Sequence, residues 1–202
     1  MTRVISSVFS ACMVALIVVG VATVHAQAPG DFAGEPDKSM ATAHQSFVDG
    51  NMEKAAANIK KAEGYVRKQE KMVAKSAAAG VEKAADDLAK LGADVKKGAV
   101  KSPDELKKTF AKVDHALASA WYATADAEQK AGKDATNSAK SAGAGLQGAA
   151  QWAGTKLDTG AQAAVDAVNT AGRGARMGAD ALGRAIRGLG DGIADLGQKI
   201  GG

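Results

Sequence analysis

Apolar and polar positions recur with a helical period through nearly all of the chain beyond residue 37. The most regular stretch is the last one, where Ala161, Val165, Val168, Gly172, Ala175, Ala179, Leu182, Ile186, Leu189, Ile193, Leu196 and Ile200 follow an unbroken 4,3 spacing. That spacing lines up one face of a helix as a coiled-coil seam. The same stretch holds eight glycines, each costing about 1 kcal/mol against Ala inside a helix. The pattern therefore predicts a helix that depends on something packed against its seam. With Ile186 at heptad position a, Gly183, Gly190 and Gly197 fall at e, and Gly178 and Gly192 at g. Bare edges of this kind let another backbone approach closely, as do the small-residue pairs Gly188/Gly192 and Gly197/Gly201.

Upstream, the same reading predicts four more helices. A short one covers 38–49 and ends at Gly50. A stripe of Ile59, Ala62, Val66, Val73, Ala77, Ala84, Leu88, Leu91 and Val95 predicts one continuous helix over 52–97, weakest at Gly80 and Gly92 and stopped by Gly98. Ser102-Pro103-Asp104-Glu105 reads as a helix start, with Ser as N-cap, Pro at the first helical position and Glu three residues after the cap. The helix it opens, 103–131, repeats Leu106, Phe110, Val113, Leu117, Ala120, Thr124, Ala127 and Ala131 and stops at Gly132. A further helix, 134–157, carries Leu146, Ala150, Ala153 and Leu157. Between Leu157 and Val165 the spacing slips to 4,4, and Gly154 and Gly160 fall there too, so a kink or break is expected within 154–160.

No alternating run of β-branched or aromatic residues competes with these helices. The expected fold is all-α: an elongated antiparallel bundle of three to four helices over 38–157, with a kinked or detached Gly/Ala-rich amphipathic helix over 158–202. Ala55, Ile59, Ala62 and Tyr65 are echoed at equal spacing by Ala142, Leu146, Ala149 and Trp152, which suggests two helical hairpins packed on each other.

Composition changes what must hold such a bundle together. From Gln27 on, only 25 of 176 residues are Leu, Ile, Val or Phe, below the ~20% at which disorder threatens a highly charged chain. Net charge is only +4 for the whole chain, so the expectation is a thin, Ala-rich core between closely spaced helices. Residues 51–101 carry a net +5 and residues 27–50 a net −3. Because lysines and acids alternate within the helices, the charge reads as a solvated face, and nucleic acid is not the expected partner.

Arg3, the uncharged run from Val4 to Val24 and the small-residue exit at Val24-His25-Ala26 read as a secretory signal peptide over 1–26. Cleavage is expected after Ala26, since the alternative after Ala28 puts Pro29 at the scissile bond. Residues 27–37, with Pro29, Gly30, Gly34 and Pro36, then form a disordered leader. The expected location is periplasmic or secreted; an uncleaved membrane anchor is the other reading, because the apolar run can span a bilayer. Cleavage removes Cys12, the only cysteine, and with it any disulfide, thiolate nucleophile or cysteine metal site.

Little remains to carry chemistry. His44 and His115, completed by Asp49 or Asp126, are the candidates for a metal site, but no His-x3-His pair sets two ligands on one helix. Asp114, His115 and Ser119 hold the residue types of a triad, yet Asp114 points about 100° away from its neighbour around the helix. Trp121, Tyr122 and Trp152 either line a pocket for an apolar ligand or pack against Tyr65 and Phe110. Phosphate-loop spacing is absent. The expectation is a protein with no catalytic residues and no cofactor.

Segments such as Lys83-Ala84-Ala85-Asp86-Asp87-Leu88-Ala89-Lys90 resemble, in composition, the amphipathic repeats of desiccation-protection proteins and exchangeable apolipoproteins. Such a resemblance implies work by surface contact. The function expected is a non-enzymatic interaction or structural protein of the bacterial envelope, stress-protective or self-associating, meeting itself or another protein through the seam. The alternatives are a membrane-surface protein using the 161–200 helix, and a bundle holding a metal or apolar ligand near His44, His115 and Trp121. Across 179–202 three basic residues are cancelled by three acids, which weakens the attraction of that helix for anionic lipid.

Overall fold

The computed structural model describes residues 34–171 and 177–201, and these contain seven helices and no strand. They are α1 (Asp37–Val48), α2 (Met52–Glu70), α3 (Ala78–Lys96), α4 (Pro103–Lys130), α5 (Thr136–Trp152), α6 (Thr159–Ala171) and α7 (Ala179–Gly201). The signal sequence with its cleavage site, the leader up to residue 33, and the seam positions Gly172 and Ala175 lie outside the described residues.

Helix ends follow the local signals closely. At Gly98 the backbone takes φ +67°, and paired bonds from Gly98 N to Val95 O and Ala99 N to Asp94 O close the end of α3. This left-handed cap is open to glycine because it has no Cβ to clash. The same pair of bonds ends α1, α4 and α5 at Gly50, Gly132 and Gly154. Asn51 immediately caps α2 by accepting from Lys54 N at 3.0 Å, and Asp158 caps α6 by accepting from Ala161 N at 2.8 Å. The break expected within 154–160 is therefore present, between α5 and α6. The start of α4 differs in detail from the capping box: the Ser102 side chain makes no cap bond, and Glu105 reaches back to accept from Lys101 N at 3.1 Å.

Two corrections concern helix length. The single helix expected over 52–97 is a hairpin, α2 and α3, turning at 71–77, and neither Gly80 nor Gly92 is the break, since both lie inside α3. A straight helix would leave half of its stripe without a partner; folding back buries Ile59, Ala62 and Val66 together with Val81, Leu88, Leu91 and Val95 in one core. The helix expected over 158–202 is likewise two, α6 and α7, and α7 is packed against α4, α5 and α6 rather than detached.

Packing divides into two cores that share α4. The first gathers α1, α2, α3 and α4 around Met40, Ile59, Leu88, Leu106 and Phe110, and takes Trp152 from the end of α5. The second gathers α4 to α7 around Leu146, Val165, Val168, Ile186, Leu189 and Leu196, with many alanines between them. Small residues set how closely the helices approach. A Cβ on Gly145 of α5 would lie 2.9 Å from the backbone nitrogen of Ala118 in α4.

Candidate functional site

The C-terminal seam is the first place to look for function. Leu182, Ile186, Leu189, Ile193 and Leu196 of α7 are buried together with Ala161, Val165 and Val168 of α6; Ile200 is half-buried between the two cores and Ala179 is exposed. The three heptad glycines of α7 face α4. A Cβ on Gly183 would lie 2.5 Å from Gln129 Nε2, one on Gly190 2.8 Å from the Tyr122 ring, and one on Gly197 2.8 Å from His115 Nε2. Glycines ascend by seven along α7 while their partners descend by seven along α4, so the two helices run antiparallel in one register.

The opposite edge of α7 meets α6, where added Cβ atoms on Gly188 and Gly192 would lie 2.9 Å from Ala164 Cβ and 2.5 Å from Ala161 Cβ. Gly178 and Gly201, read from the sequence as further close-approach positions, face open space. His115 Nε2 donates to Ile193 O at 2.9 Å, and because a carbonyl only accepts, the proton sits on Nε2. This bond takes up Nε2 in joining α4 to α7.

Other candidates are dispersed. Ser119 Oγ donates to the His115 backbone carbonyl at 2.8 Å, so no triad forms. Trp121 Nε1 donates to Gln69 Oε1 at 2.7 Å near the α2–α3 turn, Tyr122 fills the gap beside Gly190, and Trp152 stands edge-on to Phe110 with ring centroids 5.0 Å apart. The rings lock different helix pairs. His44 sits 5.9 Å from Trp152, centroid to centroid, on the far core from His115. No group of three or more His, Cys, Asp or Glu side chains suited to a metal occurs among the described residues.

The unexpected cluster is a pair of carboxyl groups. Asp114 of α4 is 1% exposed and faces Asp37 at the start of α1, across Gly148 of α5. A Cβ on Gly148 would stand 2.6 Å from Asp114 Oδ2 and 3.2 Å from Asp37 Oδ1, so glycine makes room for the pair. Burial pushes Asp114 well above the usual carboxylate range, and the charge of Asp37 and the hydrogen bond between the two push the same way. Burial also raises Asp37, against the hydrogen bonds from Asp114 and Trp152 and helped by the charge of Glu35. Two facing carboxylates with no cation among their determinants disfavour each other's ionisation, and both are raised. His44, also buried, is held below its ordinary value by desolvation, then by Lys107, against Asp104.

Reasoning from sequence missed this pair, though one signal was legible. Asp114 lies four residues after Phe110 and three before Leu117, squarely on the apolar stripe of α4. Chemically the pair can hold and release a proton; with Asp114 enclosed, it offers no open position to a substrate. No family model, curated protein or solved structure matches this chain.

Proposed function

We propose that this is a non-enzymatic helical structural or interaction protein, exported to the bacterial envelope, whose glycine-edged C-terminal helix closes its own bundle. The observation that carries the reading is the matched register of Gly183, Gly190 and Gly197 with Gln129, Tyr122 and His115. A glycine-poor helix would be more stable by itself, so the glycines make sense as recesses for α4 side chains. With the seam covered from within, contact with other molecules falls to the outer, charged helix faces.

Export and closure are tested together. Mass spectrometry of protein recovered from the envelope fraction should give an N-terminus at Gln27. The purified chain from Gln27 should be strongly helical by circular dichroism without lipid and should sediment as one copy. Recovery only from the cytoplasm would sink the export reading. A helix content that rises only on adding vesicles would replace internal closure with the membrane-surface reading of 161–200, in which α7 leaves its groove. A stable dimer that dissociates when Gly190 is enlarged would favour self-association through the seam.

A further inference from the structure

The turn between α2 and α3 presents an apolar side chain to solvent in a lysine-rich stretch of the chain. Met72 is 65% exposed, the most exposed large hydrophobic residue among those described. Its neighbour Val73 packs against the first core, Ala74 N donates to Thr124 Oγ1 at 2.7 Å, and Gln69 accepts from Trp121. The base of the turn is thus pinned to α4 at two points, which holds Met72 outward instead of letting it fold back.

Charge along the turn is one-sided. Between Gly64 and Val81 the chain has Arg67, Lys68, Lys71 and Lys75 against one acid, Glu70. Arg67 is engaged by Glu63 and Asp86; Lys68, Lys71 and Lys75 are exposed and make no ion pair among the described residues, and Lys68 Nζ stands over the Tyr65 ring, 5.1 Å from its centroid. Lys68 and Lys71 at the end of α2 complement its dipole. Lys75 has no such reason: it stands just before α3, whose first turn has neither an acid nor a side-chain cap. A cation near a helix N-terminus runs against the helix dipole, and an anion there would suit both.

We infer that the α2–α3 turn docks on an anionic lipid surface, with Met72 entering the apolar layer and Lys68, Lys71 and Lys75 meeting the headgroups. An exposed apolar side chain flanked in the chain by exposed cations suits such a surface, since juxtamembrane cations gain from its negative potential while the apolar group gains from burial. An acidic protein would satisfy the lysines but leaves Met72 unexplained. The site is separate from α7, whose apolar face is already covered. It rests on the envelope reading only for where the lipid is met; binding is measured on purified protein, so failure of docking and failure of export are distinct results.

The test is flotation of the chain from Gln27, which contains every described helix, with vesicles of phosphatidylglycerol and phosphatidylcholine and with vesicles of phosphatidylcholine alone. Binding is expected only to the anionic vesicles. Lys71→Glu with Lys75→Glu should weaken it by at least 30-fold or so, from the attraction ordinarily gained per cation, and Met72→Ser should weaken it severalfold with charge unchanged. Lys96→Glu with Lys97→Glu, at the other end of the hairpin, should leave it intact; all three are exposed-site changes, and circular dichroism checks that each folds. The proposal is overturned by absence of binding to anionic vesicles, by equal loss in both double variants, or by a Met72→Ser protein that binds as well as the parent, which would mean an acidic surface of any kind suffices.

Discussion

Tyr122 occupies the space that the missing side chain of Gly190 leaves on α7, its ring and hydroxyl lying 2.8–2.9 Å from where a Cβ would stand. One heptad away in either direction the same relation holds for His115 with Gly197 and Gln129 with Gly183. A helix that is poor in isolation thereby becomes a fitted part.

Enlarging these glycines should give a graded series of losses. Gly192→Ala drives a methyl against Ala161 Cβ, which cannot rotate away, and should lose roughly 1–3 kcal/mol in urea denaturation. Gly190→Ala should lose less, because the far end of the Tyr122 ring can shift, and Gly183→Ala least, because Gln129 is flexible. Gly64→Ala on α2, where nothing lies within 4 Å, should instead stabilise by about 0.5–1 kcal/mol. Equal effects at Gly64 and Gly192 would contradict the close approach. A double-mutant cycle of Gly190→Ala with Tyr122→Ala should show coupling.

The carboxyl pair predicts a pH slope of definite sign. Asp114 has a folded-state value raised above the unfolded one, so its contribution is complete below the ordinary aspartate value and is lost as pH rises toward the raised one. Asp114→Asn, which stays neutral and can donate to Asp37, should remove that loss. Denaturation midpoints of the parent and the variant should therefore diverge in favour of the variant as pH rises from about 4 toward neutrality; parallel curves would mean that the pair holds no proton.

His44 predicts the opposite slope. Its value is depressed by burial, so its contribution is present above the ordinary histidine value and is lost as pH falls through the depressed one. His44→Phe should lose less stability than the parent on acidification below about pH 6. NMR titration of the His44 ring gives an independent reading, expected below the range of an exposed histidine.

Thr124→Val tests the hairpin that replaced the long helix. Thr124 Oγ1 accepts from Ala74 N at 2.7 Å while donating to Ala120 O at 2.9 Å. Valine keeps the shape and strips the acceptor, so about 1–3 kcal/mol should be lost. Amide exchange of Ala74 should accelerate; unchanged protection would mean the turn is held by other contacts.

How much of this was legible depended on whether the cause was local. Gly50, Gly98 and Gly132 end helices where the sequence said they would, because a left-handed cap needs only glycine at that position, whereas the helix expected over 134–157 stops at Trp152 ahead of Gly154. The turn at 71–77 was hidden because Val66, Val73 and Ala77 stay in phase across it, with no Gly or Pro inside to break the pattern. Asp114 was visible as a polar residue on an apolar stripe, but its partner was not, since Asp37 reaches it only when α1 docks on α4 and Gly148 opens the gap between them.

The sequence by itself determined the all-helical character, the ends of most helices and the heptad of glycines, because backbone conformation and side-chain facing follow from nearby residues. Tertiary structure alone decided that those glycines receive Gln129, Tyr122 and His115 of the same chain, that one long stripe folds back on itself, and that two acids far apart in sequence come face to face. Burial of apolar surface has no direction of its own, so a seam announces that it needs a partner, and only the packing of distant segments settles which one meets it.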